Sequence, residues 1–217
     1  MFNPTLTSLR RAALVLALSA CAGLASAASA FHIELDTAAL AATHGNSGWI
    51  DLQFNPGNSG TPYAQAQLSH FSGFGDPSTA VTAGNVSGSL AGAYVIGNND
   101  AGGYNDLFHA VNFGSKVGFT VTFSGELDPS LSAFGSTFGV SLFDRSGTVA
   151  LGAGAASDAL VLLTWTSLGS ATSVPLANQI GTTVNAVSAV PEPQGWLMLG
   201  AGLALLGAIA RRRRQQG

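Results

Sequence analysis

Three stretches of this chain alternate apolar and polar residues one by one. Ile50, Leu52 and Phe54 alternate with Asp51 and Gln53. Phe119, Val121 and Phe123 alternate with Thr120 and Thr122, and Phe138, Val140 and Leu142 with Gly139 and Ser141. A period of two puts each apolar set on one face of a β-strand and the polar set on the other. No long helical period competes with it. Ala159 to Thr166 is a nearly continuous run of β-formers and reads as a central strand. Turn clusters punctuate the series at Asn55-Pro56-Gly57-Asn58-Ser59-Gly60, Gly97-Asn98-Asn99-Asp100 and Asp128-Pro129-Ser130. Short strands with such loops between them predict an all-β fold, a single β-sandwich that is jelly-roll-like. One helical stretch is expected at Thr37 to Thr43, with Asp36 capping its start.

Charge narrows the function. Only 9% of the residues are charged, and 47% are hydrophobic, against a usual charged share of about 25%. A disordered polyelectrolyte needs the reverse balance. Between Phe31 and Val190 ten carboxylates face only Lys116 and Arg145, a net of −8. Such a surface repels phosphate, so no nucleic acid is expected as a partner.

Most of the basic residues sit at the two ends. Arg10 and Arg11 precede the apolar run Ala12 to Ala20, followed by small residues up to Ala30. This is the layout of a secretory signal peptide over residues 1–30. Ala25-Ser26-Ala27 and Ala28-Ser29-Ala30 both offer cleavage sites; a cut after Ala30 leaves Phe31 to open the first strand. Leu18-Ser19-Ala20-Cys21 resembles a lipobox, which offers lipidation of Cys21 as the rival outcome. A cut after Ala30 leaves a mature chain without cysteine, and so without a disulfide framework.

At the other end Val190-Pro191-Glu192-Pro193 leads into the uncharged run Trp196 to Ala210 and then Arg211-Arg212-Arg213-Arg214. The two prolines hold the chain extended. The 15 residues of the run reach about 22 Å as a helix, short of the ~30 Å hydrocarbon core. Thinning or snorkelling arginines must cover the gap. Residues 200–207, rich in Gly and Ala, permit close helix approach. The arginines orient the run with residues 31–190 outside the cytoplasm. A plain membrane anchor or a packed core helix are the alternatives to a processed signal.

Together, Pro191, Glu192, Pro193, the apolar run with Leu199, Gly202, Leu203, Leu205 and Leu206, and Arg211 to Arg214 resemble the PEP-CTERM sorting signal of Gram-negative bacteria. The likeness spans about 25 residues and rests on the combination. It implies that residues 188–217 are read by a membrane-embedded exosortase, a cysteine-type transpeptidase that cuts near the P-E-P. The secretion machinery and, transiently, the inner membrane are then partners. The destination is the cell surface or the exopolysaccharide matrix. Residues 31–187 form the ectodomain, about 160 residues and enough for one core. Leu35-Asp36-Thr37, residues 50–55, residues 84–90 and residues 119–125 look like an ectodomain type recurrent in such proteins, which carries over no activity.

No catalytic residues are expected in the ectodomain. His32, His44, His70 and His109 are scattered, and no G-x-S-x-G elbow accompanies them. Glu34, Asp36, Asp51 and Glu126 offer carboxylates for glycoside chemistry, but on strands, where the wet face is the default. Residues 73–75 and 152–154 fall short of a phosphate loop, and zinc spacing is absent. Serines and threonines could accept O-linked glycans, and Asn85-Val86-Ser87 fits an N-glycosylation pattern. Calcium is the better chemical expectation. The loop from Asn98 to Asp106 is rich in side-chain oxygens and glycines, with Asn98, Asp100 and Asp106 as ligands. Trp49, Tyr63, Tyr94, Tyr104 and Trp165 are candidates for stacking on sugars, with Tyr63 and Tyr104 in loops and Trp165 in the core. The primary expectation is a structural or adhesive surface protein associated with exopolysaccharide; the alternative is a carbohydrate-binding module, calcium-supported.

Overall fold

A computed structural model describes residues 29–99, 104–131, 135–154, 157–174, 176, 179–187 and 202. The P-E-P motif, the run 196–210 bar one position, Arg211 to Arg214, Cys21, residues 1–28 and Asp100 lie outside the described residues. Among the described residues no helix is long and apolar enough to cross a membrane.

The fold is all-β: two antiparallel sheets, with a short helix α1 (Ala38–His44). One sheet holds β13 (Thr182–Val187), β1 (Ser29–Asp36), β8 (Lys116–Gly125), β3 (Ala64–Ser72), β6 (Tyr94–Gly97) and β5 (Val86–Gly88), in that order. The other runs β12 (Ala171–Val174), β11 (Val161–Thr166), β9 (Gly135–Phe143), β2 (Ser47–Pro56), β7 (Asp106–Asn112) and β4 (Val81–Ala83); β10 (Ala150–Leu151) adds to β9. We call them sheets A and B.

Alternation decides which side chains meet. Ile50, Leu52 and Phe54 of sheet B face Phe119, Val121 and Phe123 of sheet A, and all are buried in one core. Phe123 ties the layers, with its ring 5.6 Å from Phe54 and 5.9 Å from Phe138. Burying a phenylalanine in this way contributes roughly 1.5–3 kcal/mol. The same pattern runs through β1, where Phe31, Ile33 and Leu35 point inward.

Three details differ from the sequence reading. The run Ala159 to Thr166 forms a strand only from Val161, and it is not buried on both faces. Val161, Leu163 and Trp165 point inward, while Leu162, Thr164 and Thr166 are half-buried beside the short edge strand β12. The helix starts one residue late, at Ala38, whose N–H donates to the Asp36 carboxylate at 3.0 Å. The first strand opens at Ser29, two residues before Phe31. Ser29 pairs with Phe123, and its hydroxyl accepts from Ala171 N–H at 3.1 Å and donates to the Gly169 carbonyl at 3.4 Å. A cut after Ala30 would remove these contacts; a cut after Ala27 leaves β1 whole.

Strand pairing also sets the ends of the molecule. β1 lies antiparallel to β13, with Ala30 opposite Val187. Chain entry at Ser29 and exit at Val187 therefore share one end, the entry end. Ala64, Gly97 and Gly125 lie there too. The far end holds Asp36, Thr182 and α1.

Candidate functional site

The outer face of sheet B gathers more chemistry than any other described surface. β2 contributes Trp49, Asp51, Gln53 and Asn55, because its other residues fill the core. Residues directly opposite in an antiparallel pair share a face. Asp51 lies opposite Phe108 of β7 and Ser141 of β9; Gln53 lies opposite Asp106 and Gly139; Trp49 lies opposite Phe143.

Two carboxylates meet on this face. Asp51 and Asp106 are diagonal neighbours across β2 and β7. Gln53 Nε2 donates to Asp51 Oδ2 at 2.8 Å, and Asn55 Nδ2 donates to Gln53 Oε1 at 3.3 Å. The Oδ1 atoms of both aspartates are buried without a protein donor. Partial burial, and then the neighbouring Asp51, push the Asp106 carboxyl from the ordinary 3.8 up to about 8. Two adjacent carboxylates cannot both ionise cheaply. Asp106 is therefore held protonated at neutral pH, with Asp51 as the side-chain partner of its carboxyl.

Beside the carboxylates stands an aromatic group. The rings of Trp49 and Phe108 stack at 4.9 Å and 8°, and Phe143 meets Phe108 edge-on at 5.7 Å. All three are half-buried. The turn after β9 leans over them. Trp49 Nε1 donates to the Arg145 carbonyl at 3.2 Å. Gly147 has φ +73°, and a Cβ there would stand 3.2 Å from the Phe108 ring. Asp144 shapes this turn by accepting from the Ser146 hydroxyl and the N–H of Thr148 and Val149, and the Ser146 bond above all holds its carboxyl low.

Of the residues expected to bind calcium, Asn98 and Asp106 are described, and each has a different surrounding. Asn98 is buried and its amide is spent: Oδ1 accepts from Ala64 N–H at 2.9 Å, and Nδ2 donates to the Pro62 carbonyl at 2.9 Å and Ser136 Oγ at 2.8 Å. It clamps sheet A to β9 of sheet B. Asp106 faces Asp51 on the sheet. Among the described residues no three His, Cys, Asp or Glu side chains are grouped to hold a metal ion. Asn105, not singled out in the sequence, is a second buried clamp. It accepts from Asn85 N–H and donates to the Phe54 carbonyl.

Tyr63 and Tyr104 are exposed, at 36% and 52%, but at the entry end and away from the Trp49 group. Tyr94 and Trp165 are buried. The histidines stay apart. His32 bonds Thr120 and His70 bonds Ser69. His109 is buried, 5.2 Å from Phe74 and 6.0 Å from Tyr94, with Nδ1 bonded to the Ala110 carbonyl. Among the described residues no histidine bonds a serine on one nitrogen and a carboxylate on the other. A shallow cleft of ≈ 270 Å³ between β11–β12 and β13 is lined by Leu160, Val174, Leu176 and Val184 with Ser173 and Thr182, and holds no titratable group.

No protein-family model matches the chain, and no curated protein or solved structure is significantly similar to it.

Proposed function

We propose that this chain is an exported surface or extracellular-matrix protein, sorted by an exosortase through residues 188–217, with a structural or adhesive role beside exopolysaccharide. One observation carries the reading: the ordered succession of Pro191-Glu192-Pro193, an uncharged run and four arginines within 24 residues of the chain. The all-β body supports it. Successive strands β1, β2, β3 and β4 alternate between the sheets, which favours a jelly-roll-like sandwich. Such a body offers two broad sheet faces to its surroundings. The test is the intact mass of protein recovered from the envelope and matrix of its host. A chain lacking the signal peptide and ending near Pro193 supports the proposal. An intact tail joined to a lipidated Cys21 refutes it.

A second reading is favoured by one specific arrangement. The outer face of sheet B sets Trp49 and Phe108 beside Asp51, Gln53 and Asn55. Aromatic side chains beside amides and carboxylates suit a sugar ring and its hydroxyls; Trp49 and Phe108, stacked on each other and half-buried, offer their uncovered sides. On this reading the domain is a carbohydrate-binding module that tethers the matrix polysaccharide. Affinity electrophoresis in that polysaccharide decides it: retardation that Trp49→Ala abolishes, in a variant with native circular dichroism, supports the module. Equal mobility of both proteins with and without polysaccharide sinks it.

A further inference from the structure

Exposed apolar side chains are not spread evenly over this domain. Among the described residues eight large hydrophobic side chains are exposed: Tyr63, Val81, Tyr104, Leu127, Val149, Leu168, Val174 and Val187. Five of them, Tyr63, Tyr104, Leu127, Leu168 and Val187, lie at the entry end. Backbone bonds string most of these together. The Tyr63 carbonyl accepts from Glu126 N–H at 2.8 Å, the Ser167 carbonyl accepts from Asp128 N–H at 3.1 Å, and Ser29 bonds Gly169 and Ala171. Leu127 and Leu168 are thus neighbours of the point where the chain enters, and Val187 is where it leaves. On the far side of Val187, eight residues separate the strand from Trp196. Fully extended, they reach about 26–29 Å at 3.3–3.6 Å each.

We propose that in the membrane-held precursor the entry end lies on the bilayer, with Tyr63, Tyr104, Leu127 and Leu168 in the interfacial zone of zwitterionic lipid. The proposal rests on the reading of residues 196–210 as a membrane segment. Three physical points support it. Tyrosine is enriched at membrane interfaces, where its ring meets the acyl boundary and its hydroxyl meets water. Exposed aromatic and leucine side chains gathered at one end mark a contact surface, and this one lies where the chain continues toward residues 196–210. The short connection keeps that end within reach of lipid at all times, so weak individual contacts act at high effective concentration. Zwitterionic lipid is specified because Glu126 and Asp128 lie in the same rim and would be repelled by an anionic surface.

The test uses the full chain carrying Cys21→Ala, in vesicles of phosphatidylcholine and phosphatidylethanolamine. A spin label is attached at Tyr104→Cys, at Leu168→Cys or, as the far-end control, at Val149→Cys. Collision with oxygen reports lipid, and collision with a water-soluble nickel chelate reports solvent. The expected result is several-fold lower nickel collision at 104 and 168 than at 149, lost when half the lipid is replaced by phosphatidylglycerol. Protein that floats with the vesicles but shows equal nickel collision at all three positions overturns the proposal and leaves the tail reading standing. Protein that fails to float overturns both.

Discussion

Replacing Asp106 with asparagine should stabilise this protein at alkaline pH and do little at acid pH. The carboxyl of Asp106 titrates near 8 when folded, against 3.8 when unfolded, through burial and the neighbouring Asp51. The folded state therefore keeps a proton that the unfolded chain releases. That contribution is complete below about pH 4 and is lost progressively as the pH rises through 8. Each unit of pKa difference is about 1.4 kcal/mol in full. Asp106 is only half-buried, and water at its edge screens most of this. A cost of ~1–2 kcal/mol between pH 5 and pH 9 is the expected remainder, or about 2–8 °C in Tm for a domain of this size. In Asp106→Asn the amide replaces the shared proton as donor to Asp51 at every pH. Thermal unfolding at pH 5, 7 and 9 is the assay. The variant should match the parent at pH 5, exceed it at pH 9 and show a flatter profile. A variant destabilised equally at all three pH values would refute the shared-proton account and make Asp106 an ordinary strand residue.

Other expectations follow from single residues. Asn98→Ala removes three hydrogen bonds, one of them across the two sheets, and should cost about 2–4 kcal/mol in urea unfolding; a cost below 1 kcal/mol would show that the clamp is dispensable. Edman sequencing of exported protein should begin at Ala28, since β1 uses Ser29 and Ala30; a start at Phe31 would mean that the domain folds without those contacts.

How much of this was legible beforehand depended on whether the signal was local. Period-two alternation is local, so the strands around Leu52, Val121 and Val140 and their inward faces could be read directly. The bond from Ala38 N–H to Asp36 at the start of α1 was equally local, although the N-cap position itself is Thr37. Tyr63 and Tyr104 were rightly expected in loops, as their neighbours are turn formers. Register is not local. Asp51 and Asp106 are each a plain polar residue on a strand, and only the pairing of β2 with β7 makes them a dyad. Asn98 was ambiguous for a related reason: an Asn-rich loop supplies oxygen ligands or hydrogen-bond clamps from the same composition. Only the position of Ser136 on β9 decides that its amide is used as a clamp. Trp49 was a candidate for sugar stacking, but its partner Phe108 could not be seen without the sheet.

The pairing of β1 with β13 also fixes how the domain carries load. Val187, the last residue of β13, lies at the entry end, and the rest of the chain follows it in sequence. If the body is held elsewhere, in a matrix, tension on the tail pulls β13 lengthwise past β1. The six paired positions from Thr182 to Val187 then share the force at once, like the fibres of a lap joint. Tension applied across the strand instead would peel it away one pair at a time. The pairing of the last strand with the first therefore sets which direction of pull this domain resists best.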